Sequence, residues 1–307
     1  MADRRALVTG GAGFIGSHVV DGFVARGYEV LALDDLSTGR RENVADAASF
    51  EELDIVDHER LAAAVRAFAP TVVAHLAAQA SVTFSVREPE RDLEVNVRGT
   101  FNVCETAREA SAPVVFASTG GALYGDDVPL PADETTSPEP LSPYGGSKLA
   151  GEAYVGTWGR LHSLANVVLR LGNVYGPRQN PHGEAGVVAI FSEKLERGEP
   201  PTVYGDGEQT RDYVHVSDVA RAFLLAAESG AAGTFNVGTG RETSVNELLR
   251  ILQDAAGTSL EPKREPLRPG ELKRSALDPR SIEDALGWRA EVDVERGLRE
   301  TYSAYAP

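Results

Sequence analysis

The feature that most constrains this chain is a turn near its start. A short apolar run, Ala6-Leu7-Val8, is followed by glycines spaced Gly10-x-x-Gly13-x-x-Gly16 and then by an amphipathic stretch from Ile15 to Ala25. Each glycine has a physical job. Gly10 lets the chain leave the strand sharply, Gly13 lets backbone N–H groups approach a pyrophosphate, and Gly16 lets the helix pack close to the sheet. Phe14 and Ile15 open that helix, whose N-terminus carries partial positive charge and free donors. A glycine triplet alone is often only a turn. Here a second apolar strand, Glu29 to Leu33, ends in Asp34, about 20 residues on, where a ribose 2′-hydroxyl needs an acceptor. Asp34 and Asp35, with no arginine nearby before Arg40, favour NAD over NADP, because carboxylates repel a 2′-phosphate.

The rest of the chain alternates in the same way. Strands are expected at Phe50 to Ile55, Thr71 to Ala78, Pro113 to Ala117 and Asn166 to Leu171, and helices at Asp57 to Phe68, Glu90 to Ala110 and Tyr144 to Arg160. Such alternation implies parallel strands joined by crossovers. The fold class is α/β: a Rossmann-type doubly wound parallel sheet with helices on both faces, plus a smaller α/β substrate-binding domain. Residues 1–173 form the nucleotide domain, with 212–238 returning to it, and 174–307 the smaller one. In that second part, helices are expected at Val187 to Arg197, Val219 to Glu228 and Val245 to Ala256, with strands at Thr202 to Tyr204, Asp212 to Val216 and Gly233 to Val237. Two last helical patterns flank Gly287-Trp288.

Composition narrows the function. The 307 residues carry a formal net charge of −16. That argues against nucleic-acid or anionic-membrane partners engaged through the whole surface. No apolar run approaches the roughly 20 residues of a membrane span. The single Cys104 needs no oxidising compartment, and the first strand starts too early to leave room for a secretory leader, so a cytoplasmic location is expected. The six histidines form no HExxH and there is no paired CxxC, so no metal site is expected.

Tyr144 and Lys148 lie four apart, on one face of a helix, about 5–6 Å from each other. A phenol with a pKa near 10 is a poor base at neutral pH; an adjacent ammonium and a cationic nicotinamide both favour the phenolate. Lowering that pKa by roughly 3 units requires about 4 kcal/mol. Spacing alone favours an exposed tyrosine and a solvated lysine. Asn96, inside a helical pattern, is either solvated or holds the backbone of a neighbouring loop.

Taken together, Thr9 to Gly16, Asp34, the His75-to-Ala78 strand end, Asn96, Ser118-Thr119 and Tyr144-x-x-x-Lys148 resemble the extended short-chain dehydrogenase/reductase family. Within it the chain is most similar to the NAD-dependent nucleotide-sugar epimerases. Ser118-Thr119-Gly120-Gly121-Ala122-Leu123-Tyr124-Gly125 and Asn173-Val174-Tyr175-Gly176-Pro177-Arg178-Gln179 resemble a bacterial and archaeal branch of UDP-hexose 4-epimerases. The resemblance implies Tyr144 as acid/base and Lys148 as its electrostatic partner and ribose ligand. It extends the cofactor set to Ser37, Thr38, Gly39, Asp54, Ile55, Leu76, Ala77, Ala78, Gln79, Asn96 and Ser118. The family's bridging Ser or Thr falls on Gly120, a departure; Thr119 is the first substitute and Ser118 the second.

On the substrate side the resemblance implies Asn173, Arg211 and Arg268 at a diphosphate, Glu271 at a ribose, and Val187, Val203 and Tyr204 around the nucleotide. Ser275 falls where some members carry a bulky tyrosine, which hints at room for N-acetylated sugars. The expected activity is 4-epimerisation of a UDP-sugar, UDP-glucose/UDP-galactose first, in galactose metabolism, as a homodimer joined through the helices at 90–110 and 144–160. The N-acetylglucosamine, glucuronate and xylose forms of the substrate stay open. A 4,6-dehydratase is disfavoured because Gly120-Gly121 replaces its Asp–Glu pair, and a catalytically silent NAD-sensing scaffold is the reading from another class.

Overall fold

A computed structural model describes residues 4–182, 186–267 and 272–306. The chain begins β1 (Arg5–Thr9), α1 (Phe14–Ala25), β2 (Glu29–Asp34), β3 (Ser49–Glu52), α2 (His58–Phe68) and β4 (Val72–His75). It continues α3 (Val82–Arg87), α4 (Pro89–Leu93), a π-helical turn (Glu94–Gly99), α5 (Thr100–Glu109), β5 (Val114–Thr119) and α6 (Pro143–His162). Then come β6 (Val167–Leu171), β7 (Asn173–Tyr175), α7 (Val187–Glu196), β8 (Thr202–Tyr204), β9 (Thr210–Arg211), β10 (Tyr213–His215) and α8 (Val216–Ser229). The last elements are β11 (Gly233–Val237), β12 (Thr243–Ser244), α9 (Val245–Ala256), β13 (Lys263–Glu265), α10 (Arg280–Leu286) and α11 (Val294–Tyr305).

Seven strands form one sheet in the order β11-β6-β5-β4-β1-β2-β3, with every pairing parallel. Its inner strands are buried on both faces, which is why they read as unbroken apolar runs such as Ala6-Leu7-Val8 and Val114-Val115-Phe116-Ala117. One face packs on α1 and α8 through Val19, Val20, Phe23, Val219 and Phe223. The other packs on α2, α5 and α6 through Leu61, Val65, Val103, Cys104 and Val155. Strand order reverses between β1 and β4, so the crevice for a ligand opens at their carboxyl ends. A separate core joins α7, α9 and α11 through Phe191, Leu248, Leu252 and Leu298.

Several boundaries differ from the sequence reading. The expected helix over 90–110 is broken: Pro89 starts α4 at its first position, and the backbone then opens into the π-turn carrying Asn96 before α5. β3 stops at Glu52, so Asp54 and Ile55 lie in the loop beyond it, and β4 stops at His75, which places Leu76, Ala77 and Ala78 past the strand end. β13, which pairs in parallel with β8, was not expected from the polar run Lys263-Arg264-Glu265. A strand this polar survives because all three of its residues stay exposed while backbone pairing holds it.

Candidate active site

The glycine turn is built by close approach. Gly10 has φ +70°, and a Cβ there would stand 2.6 Å from the Ala77 nitrogen; a Cβ on Gly16 would land on the Gly10 carbonyl oxygen. Gly13 is the N-cap of α1, with no side-chain cap and no acid in the first turn, so the donors at Phe14 and Ile15 keep the helix dipole's positive end. Beside them Asp34 is buried and accepts from Ala12 N at 3.0 Å and Leu36 N at 2.9 Å. Its carboxyl is pushed up by burial, against those backbone donors. Gly39 lies so near that a Cβ would sit 2.6 Å from Asp34 Oδ1. Asp35 is tied to Ser37, accepting from its N at 3.0 Å and its Oγ at 2.6 Å, and Thr38 is exposed. A cradle that any side chain would fill, an uncapped helix N-terminus and a buried acid at the end of β2 fit a dinucleotide.

Behind the turn runs a directed hydrogen-bond chain. Thr100 Oγ1 donates to Asn96 O at 2.6 Å and so accepts from His75 Nε2–H at 3.0 Å. That leaves His75 Nδ1 bare to accept from Thr9 Oγ1–H at 2.7 Å, while Thr9 Oγ1 accepts from Leu76 N at 3.2 Å and Ala77 N at 3.3 Å. Full burial and the nearby Lys148 charge push the His75 imidazole down to about 3, so it stays neutral. Asn96 is not solvated. Its Oδ1 accepts from Gln79 N at 2.9 Å and its Nδ2 donates to Gln79 O at 2.9 Å, Asp92 Oδ1 at 3.1 Å and Ser147 Oγ at 3.1 Å. Asp54, in the loop after β3, accepts from Val56 N at 2.9 Å and pairs with Arg91 at 3.1 Å. Ile55 is buried against Gly99, whose Cβ would stand 2.5 Å from its Cδ1.

Ser142 caps α6, accepting from Gly145 N at 3.2 Å, and Tyr144 N donates to Ser85 Oγ at 3.1 Å. The helix thus brings Tyr144 to the end of β5, where Thr119 hydrogen-bonds its phenol. Lys148 is 4 % exposed; its Nζ donates to Ala117 O at 3.0 Å and lies 4.8 Å from the Phe116 ring centre. Burial lowers the ammonium to about 8, against the charges of Asp92 and Glu152. Burial and the Asp92 charge raise Tyr144 to about 12, against the Thr119 hydrogen bond. Ser118 is not at the phenol: its hydroxyl donates to Glu152 Oε1 at 2.5 Å. At Gly120 the departure from the family pattern has a cause, since a Cβ there would stand 2.5 Å from Leu277 Cδ1.

On the substrate side, Asn173 begins β7 with its N donating to Asp212 O at 2.7 Å, and a Cβ on Gly121 would stand 3.3 Å from its Oδ1. Val187 opens α7 and is half-buried. Val203 is fully buried in the α7–α9–α11 core, and the period of two along β8 turns Thr202 and Tyr204 to the opposite face. Half-buried Arg211 donates from Nη1 to Thr210 O at 2.8 Å. Arg268 and Glu271 lie outside the described residues. Ser275 is buried beside the strand of backbone contacts between Ala132 and Ala276–Asp278.

Sequence reasoning missed Asp92, Glu152, Leu277 and the Thr9–His75–Thr100 chain. Two left a signal: Glu152 lies one turn beyond Lys148, and Asp92 one turn before Asn96. Leu277 left none, because its meeting with Gly120 spans more than 150 residues.

These features define a nicotinamide-dinucleotide protein of the doubly wound class, with a tyrosine–lysine pair at the sheet's carboxyl edge. The chain belongs to the NAD dependent epimerase/dehydratase family, whose model matches residues 6–238. It is 46% identical, over 97% of both chains, to the UDP-glucose 4-epimerase of Mycolicibacterium smegmatis. Among solved structures, that of UDP-glucose 4-epimerase with UDP-glucose from Thermotoga maritima has a TM-score of 0.96 and 47% identity over 98% of both chains. The Thermus thermophilus UDP-glucose 4-epimerase complex with NAD has a TM-score of 0.92 and 49% identity over 98% of both.

Proposed function

We propose that this chain is a UDP-glucose 4-epimerase, interconverting UDP-glucose and UDP-galactose by way of a transient 4-keto sugar. The observation that carries the reading is the Thr119–Tyr144–Lys148 array at the carboxyl edge of the sheet, in a chain matched end to end by proteins of that name. Gly10, Gly13, Gly16 and Asp34 would hold NAD, with Leu76 to Gln79 and Asn96 beside the ring and Asp35 to Gly39 at the ribose. When bound, NAD supplies the acceptor and then the donor of a hydride.

The chain's own residues handle the proton and the geometry. Tyr144 takes the proton of the sugar 4-hydroxyl and returns it. Thr119 relays to the phenol, standing in for the hydroxyl that Leu277 excludes from position 120. Lys148 holds a positive charge in a dry site, where it acts most strongly on a developing phenolate. Asn173, Tyr204, Arg211, Val187, Arg268 and Glu271 would grip the nucleoside diphosphate. Binding energy placed there lets the hexose turn while the nucleotide stays fixed. Residues 1–173 with 212–238 serve as the nucleotide unit and the remainder of 174–307 as the sugar-nucleotide unit.

We read the α5–α6 face as a homodimer interface. It carries Phe101, Tyr154 and Trp158, set edge-to-face or tilted with ring centres 5.5–5.8 Å apart, and exposed Leu161, with exposed Leu93 at the end of α4. Such an exposed apolar patch favours burial against a second copy. No helix among the described residues is long and apolar enough to cross a membrane, and we place the enzyme in the cytoplasm, in galactose metabolism.

Purified protein incubated with UDP-glucose and NAD should yield UDP-galactose by product NMR; no product at any NAD concentration would defeat the proposal. The small Ser275 favours a second reading, turnover of UDP-N-acetylglucosamine as well. A rate thousands of times below that for UDP-glucose would discard it.

A further inference from the structure

One turn beyond Lys148 the catalytic helix carries an ion pair that the reaction scheme does not use. Glu152 and Arg170 each have a side chain only 8% exposed and meet at 2.7 Å, with Arg170 Nε also donating to Glu152 Oε1 at 3.0 Å. Glu152 Oε1 accepts from Ser118 Oγ at 2.5 Å. Arg170 Nη1 donates to Tyr124 OH at 2.7 Å, which donates to Asn236 Oδ1 at 3.0 Å. This network crosses α6, β5, β6 and β11 at the sheet's carboxyl edge. Burying two charges is expensive, and a well-packed apolar pair is often equally stable or more so, so stability alone is a weak reason for the pair.

We infer that Glu152 is a positioning residue: it pins the Ser118–Thr119 strand end to the helix that carries Tyr144, and it stands one helical turn from Lys148 on the same face. The inference rests on the epimerase reading for its kinetic consequence only. The groups facing Lys148 are Asp92 from α4, the neutral His75 from β4, the Phe116 ring from β5, and Tyr144 and Glu152 from α6 itself. Asp92, which accepts from Gln79 Nε2 at 2.8 Å and Asn96 Nδ2 at 3.1 Å, is the stronger of the two influences, and Glu152, paired with Arg170, sits on Lys148's own helix face. Both carboxylates favour the charged lysine, against its burial.

The chain has four lysines, Lys148, Lys194, Lys263 and Lys273, so ¹³C-lysine NMR can follow Lys148 with a Lys148→Arg variant for assignment. Glu152→Gln should lower the Lys148 titration midpoint by about one pH unit. The same variant should lower kcat by about 10- to 100-fold with KM little changed, and move the alkaline limb of kcat to lower pH. The double variant Glu152→Leu/Arg170→Met should melt at or above the wild-type temperature and yet stay slow. A Glu152→Gln chain with an unmoved Lys148 titration overturns the inference. So does a double variant with wild-type kcat, which would make the network purely structural. A wild-type chain inactive on UDP-glucose would defeat the epimerase reading instead, and the NMR titration would still decide the role of Glu152.

Discussion

The two edges of the site are made by different means. At the cofactor edge the shape comes from backbone: Gly10, Gly13 and Gly16 within seven residues, with Ala77 N and the Gly10 carbonyl occupying the space of absent side chains. At the sugar edge it comes from side chains delivered by remote segments. Leu277 fills the place beside Gly120, and the buried Asp212 gathers Thr239 N at 2.8 Å, Gly240 N at 3.0 Å and Leu277 N at 3.1 Å. Side-chain volume can be compensated by another side chain, whereas a backbone carbonyl cannot be moved aside. The cofactor edge is therefore rigid in sequence, and the sugar edge is adjustable.

Four experiments test that contrast. The largest effect is expected between the two edges, at the phenol: Tyr144→Phe should lower kcat on the order of 10³-fold with the melting temperature unchanged, and an unaltered kcat would remove Tyr144 from the chemistry. Next, Gly16→Ala should destabilise the fold by about 3 kcal/mol in urea unfolding and abolish NAD binding by calorimetry. A variant with native affinity would show that the glycine turn can yield. Gly120→Ser should be milder, about 1–3 kcal/mol, and Leu277→Ala should relieve it. A double-mutant cycle with no coupling between these two would refute an adjustable sugar edge.

The smallest effect concerns pH. His75 has a folded-state pKa of about 3 against 6.5 for an ordinary imidazole. Between those values the unfolded chain binds a proton that the folded chain refuses, so the stability is full above 6.5 and is lost as pH falls. From pH 6.5 to 5.5 the wild type should lose about 1 kcal/mol more than His75→Gln, measured by urea titration. Equal losses would place a charged imidazole in the cofactor edge.

Local physics was legible in the sequence. The glycine spacing, the acid ending β2 and the apolar runs of a sheet covered on both faces define the seven-stranded core because each depends on residues close in the chain. The tyrosine–lysine pair was visible for the same reason, since one helical turn joins them. By itself, then, the sequence determined the glycine turn with its buried acid, the parallel sheet and the one-turn spacing of Tyr144 and Lys148. Only the tertiary structure decided that Thr119 reaches the phenol while Ser118 turns to Glu152, that Val203 is core, that Leu277 excludes a side chain at position 120, and that burial with Asp92 holds the phenol near 12. Desolvation and steric exclusion are set by segments that meet only in the folded chain, and no spacing along the sequence encodes them.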